Sequence, residues 1–394
     1  SVEELAARLG IGPRHLHRLF LRHVGAPPVA MAQTRRLHFA KRLIDETELP
    51  ITEIAFASGF KSIRRFNSAF QKTFRRAPRE LRRQPVVRVT DNHDDVVLRL
   101  AFRPPYDWPQ VRDFLAKRAV PGIEVVDARG YMRTVRTGES SHAIISIRSL
   151  SGENALELRV RGATPAALLH IAANARRAFD LGSDPALIAA AFRSDPLLSP
   201  MVEAHPGLRI AGAWEPFECA VRAVLGQQVS VAGGRTFTAR LVARAGQRIT
   251  GQGVASYVPE LTHLFPTPAE VARTNLAALG LTGARIATLQ NLARAVLEGK
   301  IDFEGTAADI CAALAALPGI GDWTAQYVAL RALGEPDAFP ASDLGLRKMA
   351  GGKLQTLSAK ELAAKAEAWR PWRGYAAMHL WRAAAERAAS RTGK

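Results

Sequence analysis

The chain has 394 residues, enough for two or three domains, with 47% apolar and 23% charged residues and a formal charge of +18. That balance is the one expected of an ordinary soluble protein; no run is long and apolar enough to span a bilayer, and the first residues show no signal peptide. Two cysteines, Cys219 and Cys311, are too few for a cysteine-ligated zinc site or an iron–sulfur cluster and suit a reducing cytoplasm, while the positive excess calls for an anionic partner, most simply nucleic acid.

Residues 1–84 hold 17 Lys/Arg against 7 Asp/Glu, more than half of the net charge. The segment reads as all helix. Ser1 with Glu4 forms a capping pattern, Leu5, Ala6 and Leu9 make an apolar face, Gly10 breaks it, and Pro13–His23 begins a second helix. Its outward face would carry Arg14, His15, His17, Arg18 and Arg22. After a linking helix over Val29–Asp45 the arrangement recurs. Ile51-Thr52-Glu53-Ile54-Ala55 leads to a turn at Gly59, then to Ser62–Thr73 with Arg64, Arg65, Asn67 and Gln71. A basic bundle with solvated arginines would have this composition too, but two units in register weigh against it.

His15-Leu16-His17-Arg18-Leu19-Phe20, Ile54-Ala55 with Gly59-Phe60, Phe66, Phe70 and Ala77-Pro78 resemble the AraC-type DNA-binding domain of paired helix-turn-helix units. The resemblance implies operator contacts by Arg14, His15, Arg18, Arg64, Arg65 and Asn67, on phosphates and base edges. Arg75 stands where that family has Gly, and the helix that precedes its first unit is missing. A start at Ser1 without Met leads to the expectation of a fragment.

Residues 85–95 read as a linker ending in an acidic turn. Beyond it the period becomes two: Val96–Phe102, Ala143–Ile147 and Leu156–Val160 alternate, with Tyr131–Val135 a weaker strand. Pro109–Arg118 and Pro165–Leu181 read as helices. Residues 96–182 are therefore expected to form a small antiparallel sheet with helices on one face. Pro104-Pro105-Tyr106-Asp107-Trp108 followed by Phe114-Leu115 resembles the N-terminal domain of the AlkA-type 3-methyladenine DNA glycosylases II. The resemblance implies a bracing role, with Phe114 on the wall of a base pocket.

From 183 to 394 the chain reads as helical. Glu215–Ser230 ends in Gly226-Gln227-Gln228-Val229-Ser230, Pro266-Thr267-Pro268 opens a helix, and Ala284–Glu298 is amphipathic. A helix over Thr306–Ala316 stops at Leu317-Pro318-Gly319-Ile320-Gly321, where Gly319 and Gly321 would supply the positive φ of a tight turn. A second helix, with Asp322 expected as its cap, runs Trp323–Leu333. Asp343 follows Pro340-Ala341-Ser342 at the expected start of another helix. Backbone N–H groups at Gly319 and Gly321 could take a DNA phosphate. A plain glycine turn with a capping Asp is the simpler alternative for these residues taken alone.

This stretch, with Asp343 24 residues after Gly319, resembles the helix-hairpin-helix DNA glycosylases. The AlkA-type resemblance spans about residues 96–390 through Pro206-Gly207-Leu208-Arg209, Ala223-Val224-Leu225-Gly226-Gln227, Phe265-Pro266-Thr267-Pro268 and Trp369–Tyr375. It implies Asp343 as the catalytic residue and Trp323, Tyr327, Trp381 and Phe114 as the base pocket. It implies Gln228, where the family can have Leu, as the wedge filling the gap of a flipped-out base. It also implies a monovalent cation, Na⁺ or K⁺, on the backbone carbonyls of Ala315, Leu317 and Ile320. A carboxylate beside C1′ lowers the energy of an oxocarbenium-like sugar or orients water, and a cationic alkylated base favours an electron-rich aromatic slot. No lysine occurs between Lys300 and Lys348, so the Schiff-base chemistry of bifunctional members is not expected.

The expectation is thus a chain mainly α with one α+β domain: an AraC-type domain (1–84), a linker (85–95), an α+β domain (96–182) and a helix-hairpin-helix domain (183–394). Its expected activity is monofunctional excision of alkylated purines, of the 3-methyladenine and 7-methylguanine type. No catalytic cofactor, zinc or iron–sulfur cluster is expected, although a zinc-bearing methyl-acceptor domain can lie upstream in such fusions. The expected partners are alkylated duplex DNA, promoter DNA and RNA polymerase, with no membrane, for a monomer in a bacterial cytoplasm at the nucleoid. The alternative is a transcription regulator of the alkylation response whose glycosylase-like part only binds or senses damaged DNA.

Overall fold

The computed structural model describes residues 2–46, 49–82, 95–138, 141–249, 258–352 and 355–392. The fold is mainly α with one five-stranded sheet, the expected class. The chain divides into two compact units, Ser1–Arg99 with Arg159–Ala172, and Leu100–Leu158 with Ala173–Lys394. No helix among the described residues is long and apolar enough to cross a membrane.

In the first unit, the helices Pro13–Val24 and Ile63–Phe74 each turn apolar residues inward, Leu16 from one and Phe66 and Phe70 from the other. Phe60, Phe66, Phe70 and Phe74 form a chain of rings with centroids 5.3, 5.4 and 4.6 Å apart. Arg75 adopts the left-handed conformation, φ 58°, and donates its N–H to the carbonyl of Gln71 at 2.9 Å. The helix therefore ends as it would at Gly, at a steric cost of about 1–2 kcal/mol. The expected cap at Ser1, and the linker up to residue 94, lie outside the described residues.

The strands are β1 (Asp95–Ala101), β2 (Glu124–Asp127), β3 (Gly130–Arg136), β4 (His142–Ser149) and β5 (Ala155–Arg161), in the order β1-β5-β4-β3-β2. β3 pairs antiparallel with β4, Tyr131 opposite Ile147 and Val135 opposite Ala143. β2 was not expected; four residues are too few for an alternation to register. Tyr131 on β3 meets Phe179 edge-on at 5.6 Å, and Arg133 reaches the helix Pro216–Leu225. The opposite face is not bare: Met132 and Ile144 pack on Val258 and Leu261. The expected helix Pro165–Leu181 is a 3₁₀ turn, Pro165–Ala167, followed by Leu168–Ala178.

A buried charge cluster ties sheet to helix. Arg133 lies 2.7 Å from Glu218, Arg222 bridges Glu218 at 2.9 Å and Glu124 at 3.0 Å, and the Tyr131 hydroxyl donates to Glu124 at 2.8 Å. Burial alone would raise the Glu218 pKa, but Arg133 and Arg222 outweigh it and hold the carboxyl below its ordinary value. The helical remainder packs around two cores. One gathers Val221, Leu225, Leu289, Leu292, Leu314 and Val328; the other gathers Phe192, Leu330, Phe339, Trp369 and Leu380.

Candidate active site

The first helix of the hairpin, Ala307–Ala315, is capped by Thr306, whose hydroxyl accepts from the Asp309 N–H. Gly319 then turns the chain with φ 86°, and a Cβ there would lie 2.1 Å from Thr288 Oγ1, so only glycine fits. Gln227 Nε2 donates to the Gly319 carbonyl at 3.0 Å and to Thr324 Oγ1 at 3.2 Å, and Arg285 Nη2 donates to the Gln227 carbonyl at 2.6 Å. Two expectations need correction. Gly321 has φ −95°, not a positive φ, and Gly321 rather than Asp322 is the N-cap of the helix Asp322–Val328. The extended backbone of Gly321 already closes the turn, and Asp322 is the first helical residue.

Trp323 and Tyr327 lie one turn apart on that helix, their rings stacked at 5.2 Å and 12°. The helix continues as a π turn, Ala329–Leu333, which ends at Gly334. Asp343 caps the helix Leu344–Ala350, as expected, and its carboxylate has three donors from three elements. Leu346 N–H and Trp381 Nε1 donate to Oδ1 at 2.9 and 3.1 Å; Trp323 Nε1 donates to Oδ2 at 3.0 Å. No cation pairs with it among the described residues. Gly345 makes room: a Cβ there would stand 3.0 Å from Asp343 Oδ1. The side chain is thus fixed and half-buried, with its two indole partners on different helices.

These residues line a cleft of about 1130 Å³ together with Phe114 and Arg331. The structure brings together five of the sequence-derived site residues: Asp343, Trp323, Tyr327, Trp381 and Phe114. Gln228 is exposed outside the cleft lining, in a left-handed conformation with φ 56°. Gly319 and Gly321 are exposed at the hairpin tip. Of the carbonyls expected to hold a cation, that of Leu317 accepts the Ile320 N–H at 3.0 Å. In the other unit, Arg14, His15 and Arg18 are exposed on one helix and Arg64, Arg65 and Asn67 on the other.

The sequence reading missed two arginines. Arg331 is 4% exposed, yet its guanidinium carbon stands 4.3 Å from the Phe114 ring centre and 5.6 Å from those of Tyr327 and Trp381. Its Nη1 donates to the Ala211 carbonyl at 2.8 Å, and its Nε has no partner. Arg118 covers the same Phe114 ring at 3.8 Å. Burial lowers the pKa of both, which still leaves them protonated, since an arginine starts so far above neutrality. A protein cation thus stands beside three of the rings that line the cleft. The missed signal was the spacing, since Trp323, Tyr327 and Arg331 form one i, i+4, i+8 stripe. Cys219 is also on the cleft, and burial pushes its thiol up to about 12, away from the reactive thiolate form.

Three protein families match consecutive parts of the chain: a helix-turn-helix domain over residues 5–84, the AlkA N-terminal domain over 97–215, and the HhH-GPD superfamily of base excision DNA repair proteins over 221–373. A Mycobacterium tuberculosis protein named probable bifunctional transcriptional activator/DNA repair enzyme AlkA is 38% identical over 390 residues, covering 97% of this chain and 76% of that one. DNA-3-methyladenine glycosylase 2 of Escherichia coli is 34% identical over 287 residues, 72% of this chain and 95% of the relative. Among solved structures, a 3-methyladenine DNA glycosylase from Archaeoglobus fulgidus superimposes with a TM-score of 0.62 at 19% identity, covering 73% of this chain and 98% of its own; this bears on the fold alone.

Proposed function

The chain belongs to the AlkA family of DNA-3-methyladenine glycosylases, with an AraC-type helix-turn-helix domain ahead of the glycosylase, and from that premise we propose how its site works. The protein is a DNA glycosylase that removes alkylated bases from DNA. Asp343 is the residue at the reaction centre. The observation that carries this role is its fixed carboxylate at the edge of an aromatic cleft, held by two indoles and one backbone N–H.

The flipped-out base lies against Trp323, Tyr327, Trp381 and Phe114, and Gln228 fills the space it leaves. The bond from C1′ to the base nitrogen breaks, and its electron pair goes to the base. The sugar becomes oxocarbenium-like beside Asp343, a water oxygen adds to C1′, and the water's proton leaves to solvent. An already cationic base needs no acid to depart. With no lysine between Lys300 and Lys348 the enzyme is monofunctional. Gly319 and Gly321 hold a backbone phosphate. The carbonyls of Ala315, Leu317 and Ile320 are neutral oxygen donors with no acidic side chain in the set, which suits Na⁺ or K⁺ rather than a divalent metal.

The purified chain incubated with methylated duplex DNA is expected to release free 3-methyladenine and 7-methylguanine, with no strand breaks before alkali. Duplex binding without release would refute the enzyme reading. The exposed Arg14, His15, Arg18, Arg64, Arg65 and Asn67 support a second, compatible role, sequence-specific binding of promoter DNA by a monomer that also meets RNA polymerase. Preference for one promoter over random DNA at physiological salt tests it; equal binding to all sequences, falling uniformly with salt, would refute it.

A further inference from the structure

Among the arginines that line this cleft, with Arg118, Arg222, Arg235 and Arg382, Arg331 is the most deeply buried. It stands on the same helical stripe as Trp323 and Tyr327, in the π turn Ala329–Leu333, a local widening that often accompanies a functional position. It is buried, it has no carboxylate partner among the described residues, and its Nε is unpaired. A buried guanidinium with no carboxylate beside it is costly to keep, and what this one meets is the Ala211 carbonyl, Tyr327 and the faces of the cleft's rings. Its position relative to Asp343 is informative. Trp323 and Trp381 present their indole N–H groups to Asp343, whereas Arg331 lies over the rings of Tyr327, Trp381 and Phe114. Asp343 thus meets the N–H edges of two indoles, while Arg331 stands over ring faces, sharing only that of Phe114 with Arg118.

We propose that Arg331 is a specificity-determining residue that makes the pocket unfavourable for positive charge on the bound base and so drives that charge toward the sugar beside Asp343. This rests on the glycosylase reading. A base alkylated on a ring nitrogen enters the site as a cation. When the bond to C1′ breaks, its electron pair neutralises the base and the sugar takes the positive charge. Arg331 raises the energy of the first arrangement, and Asp343 lowers that of the second. Only an interaction that differs between ground and transition state changes the chemical rate, and this one does. It weakens binding of the cationic lesion and accelerates its release. For a neutral lesion the departing base gains electron density, and the same guanidinium stabilises it without a penalty on binding.

The test is single-turnover excision of 7-methylguanine from a duplex by the parent, Arg331→Met and Arg331→Lys. Affinity for the methylated duplex is measured relative to the unmethylated one. Arg331→Met is expected to bind the methylated duplex about tenfold more tightly yet release the base at least tenfold more slowly. Arg331→Lys keeps the charge and is expected to follow the parent in both. Folding damage would weaken binding as well as rate, so the opposite movement of the two is the diagnostic sign. Unchanged or weaker relative affinity in Arg331→Met would overturn the proposal, as would Arg331→Lys behaving like Arg331→Met. Failure of the parent itself to release any methylated base would overturn the glycosylase reading, and the role of Arg331 with it.

Discussion

Replacing Asp343 with Asn separates the charge of this side chain from its structural work. Asn is about as good an N-cap as Asp, so its oxygen can keep the bond to Leu346 N–H that starts the helix Leu344–Ala350. It cannot accept from both indoles as the carboxylate does, because its second terminal atom is a donor. One indole N–H loses its acceptor, at a cost of about 1 kcal/mol and a few degrees in Tm. The catalytic loss is larger. A carboxylate about 4 Å from a developing positive charge, at an effective dielectric near 20, contributes about 4 kcal/mol, which is about a thousandfold in rate. The assay is single-turnover release of 3-methyladenine, with unfolding and duplex affinity measured on the same preparation. Release within tenfold of the parent, with fold and affinity intact, would refute the assignment of Asp343.

The remaining predictions concern the supports of the site and of the fold. Gly345→Ala would press a methyl group on Asp343 Oδ1, at 3.0 Å before relaxation, so base release should fall while duplex affinity holds; an unchanged rate would show that the carboxylate position is not critical. Gln228→Gly removes a side chain held at φ 56° and should leave stability equal or higher by up to about 1 kcal/mol, while excision from a fully paired duplex drops. Lower stability by chemical denaturation, or undiminished excision, would contradict that account of the wedge. Glu218→Gln leaves Arg133 and Arg222 short of a buried counter-charge and should cost about 3–5 kcal/mol, read as a lower urea midpoint. Because the Glu218 carboxyl titrates below its ordinary 4.5 in the fold, the stability it confers is present above that pH and lost on acidification. His379, which burial first and then the nearby His205 and Arg382 push down to about 4, acts on the neutral form. The unfolded imidazole takes its proton near 6.5, so stability should fall by up to about 3 kcal/mol as pH drops from 6.5 to 4. His379→Gln should flatten that part of the stability profile, and an unchanged slope would count against the buried neutral imidazole.

How legible the molecule was in its sequence depended on the range of the signal. Helices announced by proline and glycine came out within a residue or two: Pro13–Val24, Ala307–Ala315 and the cap at Asp343 all follow from local rules. The two hairpin glycines read alike, yet only Gly319 takes a positive φ. What distinguishes it is Thr288, 31 positions earlier in the chain and against the place a Cβ would occupy, a contact that no local pattern carries. β2 was invisible because a four-residue strand is fixed by its neighbour β3 and not by its own alternation. Arg75 shows the converse: its departure from the family pattern left the local turn open, and the residue takes the left-handed conformation all the same, with φ 58° and its N–H on the Gln71 carbonyl.

Arg331 is the most instructive omission, because the periodicity that placed Trp323 and Tyr327 on one stripe places it there too. A charge on an otherwise apolar stripe is ordinarily discounted as the edge of the solvated face, and the statistics of burial favour that choice. Here the stripe faces a cleft, and three aromatic rings surround the guanidinium instead of water. The aromatic residues by themselves describe a slot that would accept a cation. Adding Arg331 reverses that preference for the ground state and turns the same rings into a medium across which the charge of Asp343 is felt from one side and that of Arg331 from the other. A pocket of this kind gains its selectivity at the step where the glycosidic bond breaks. The relation between affinity and rate across a series of lesions should therefore be inverse for bases that enter charged and flat for those that enter neutral. A series in which tighter-bound cationic lesions were also the faster ones would show that the rings, not the field between the two charged groups, govern the choice of base.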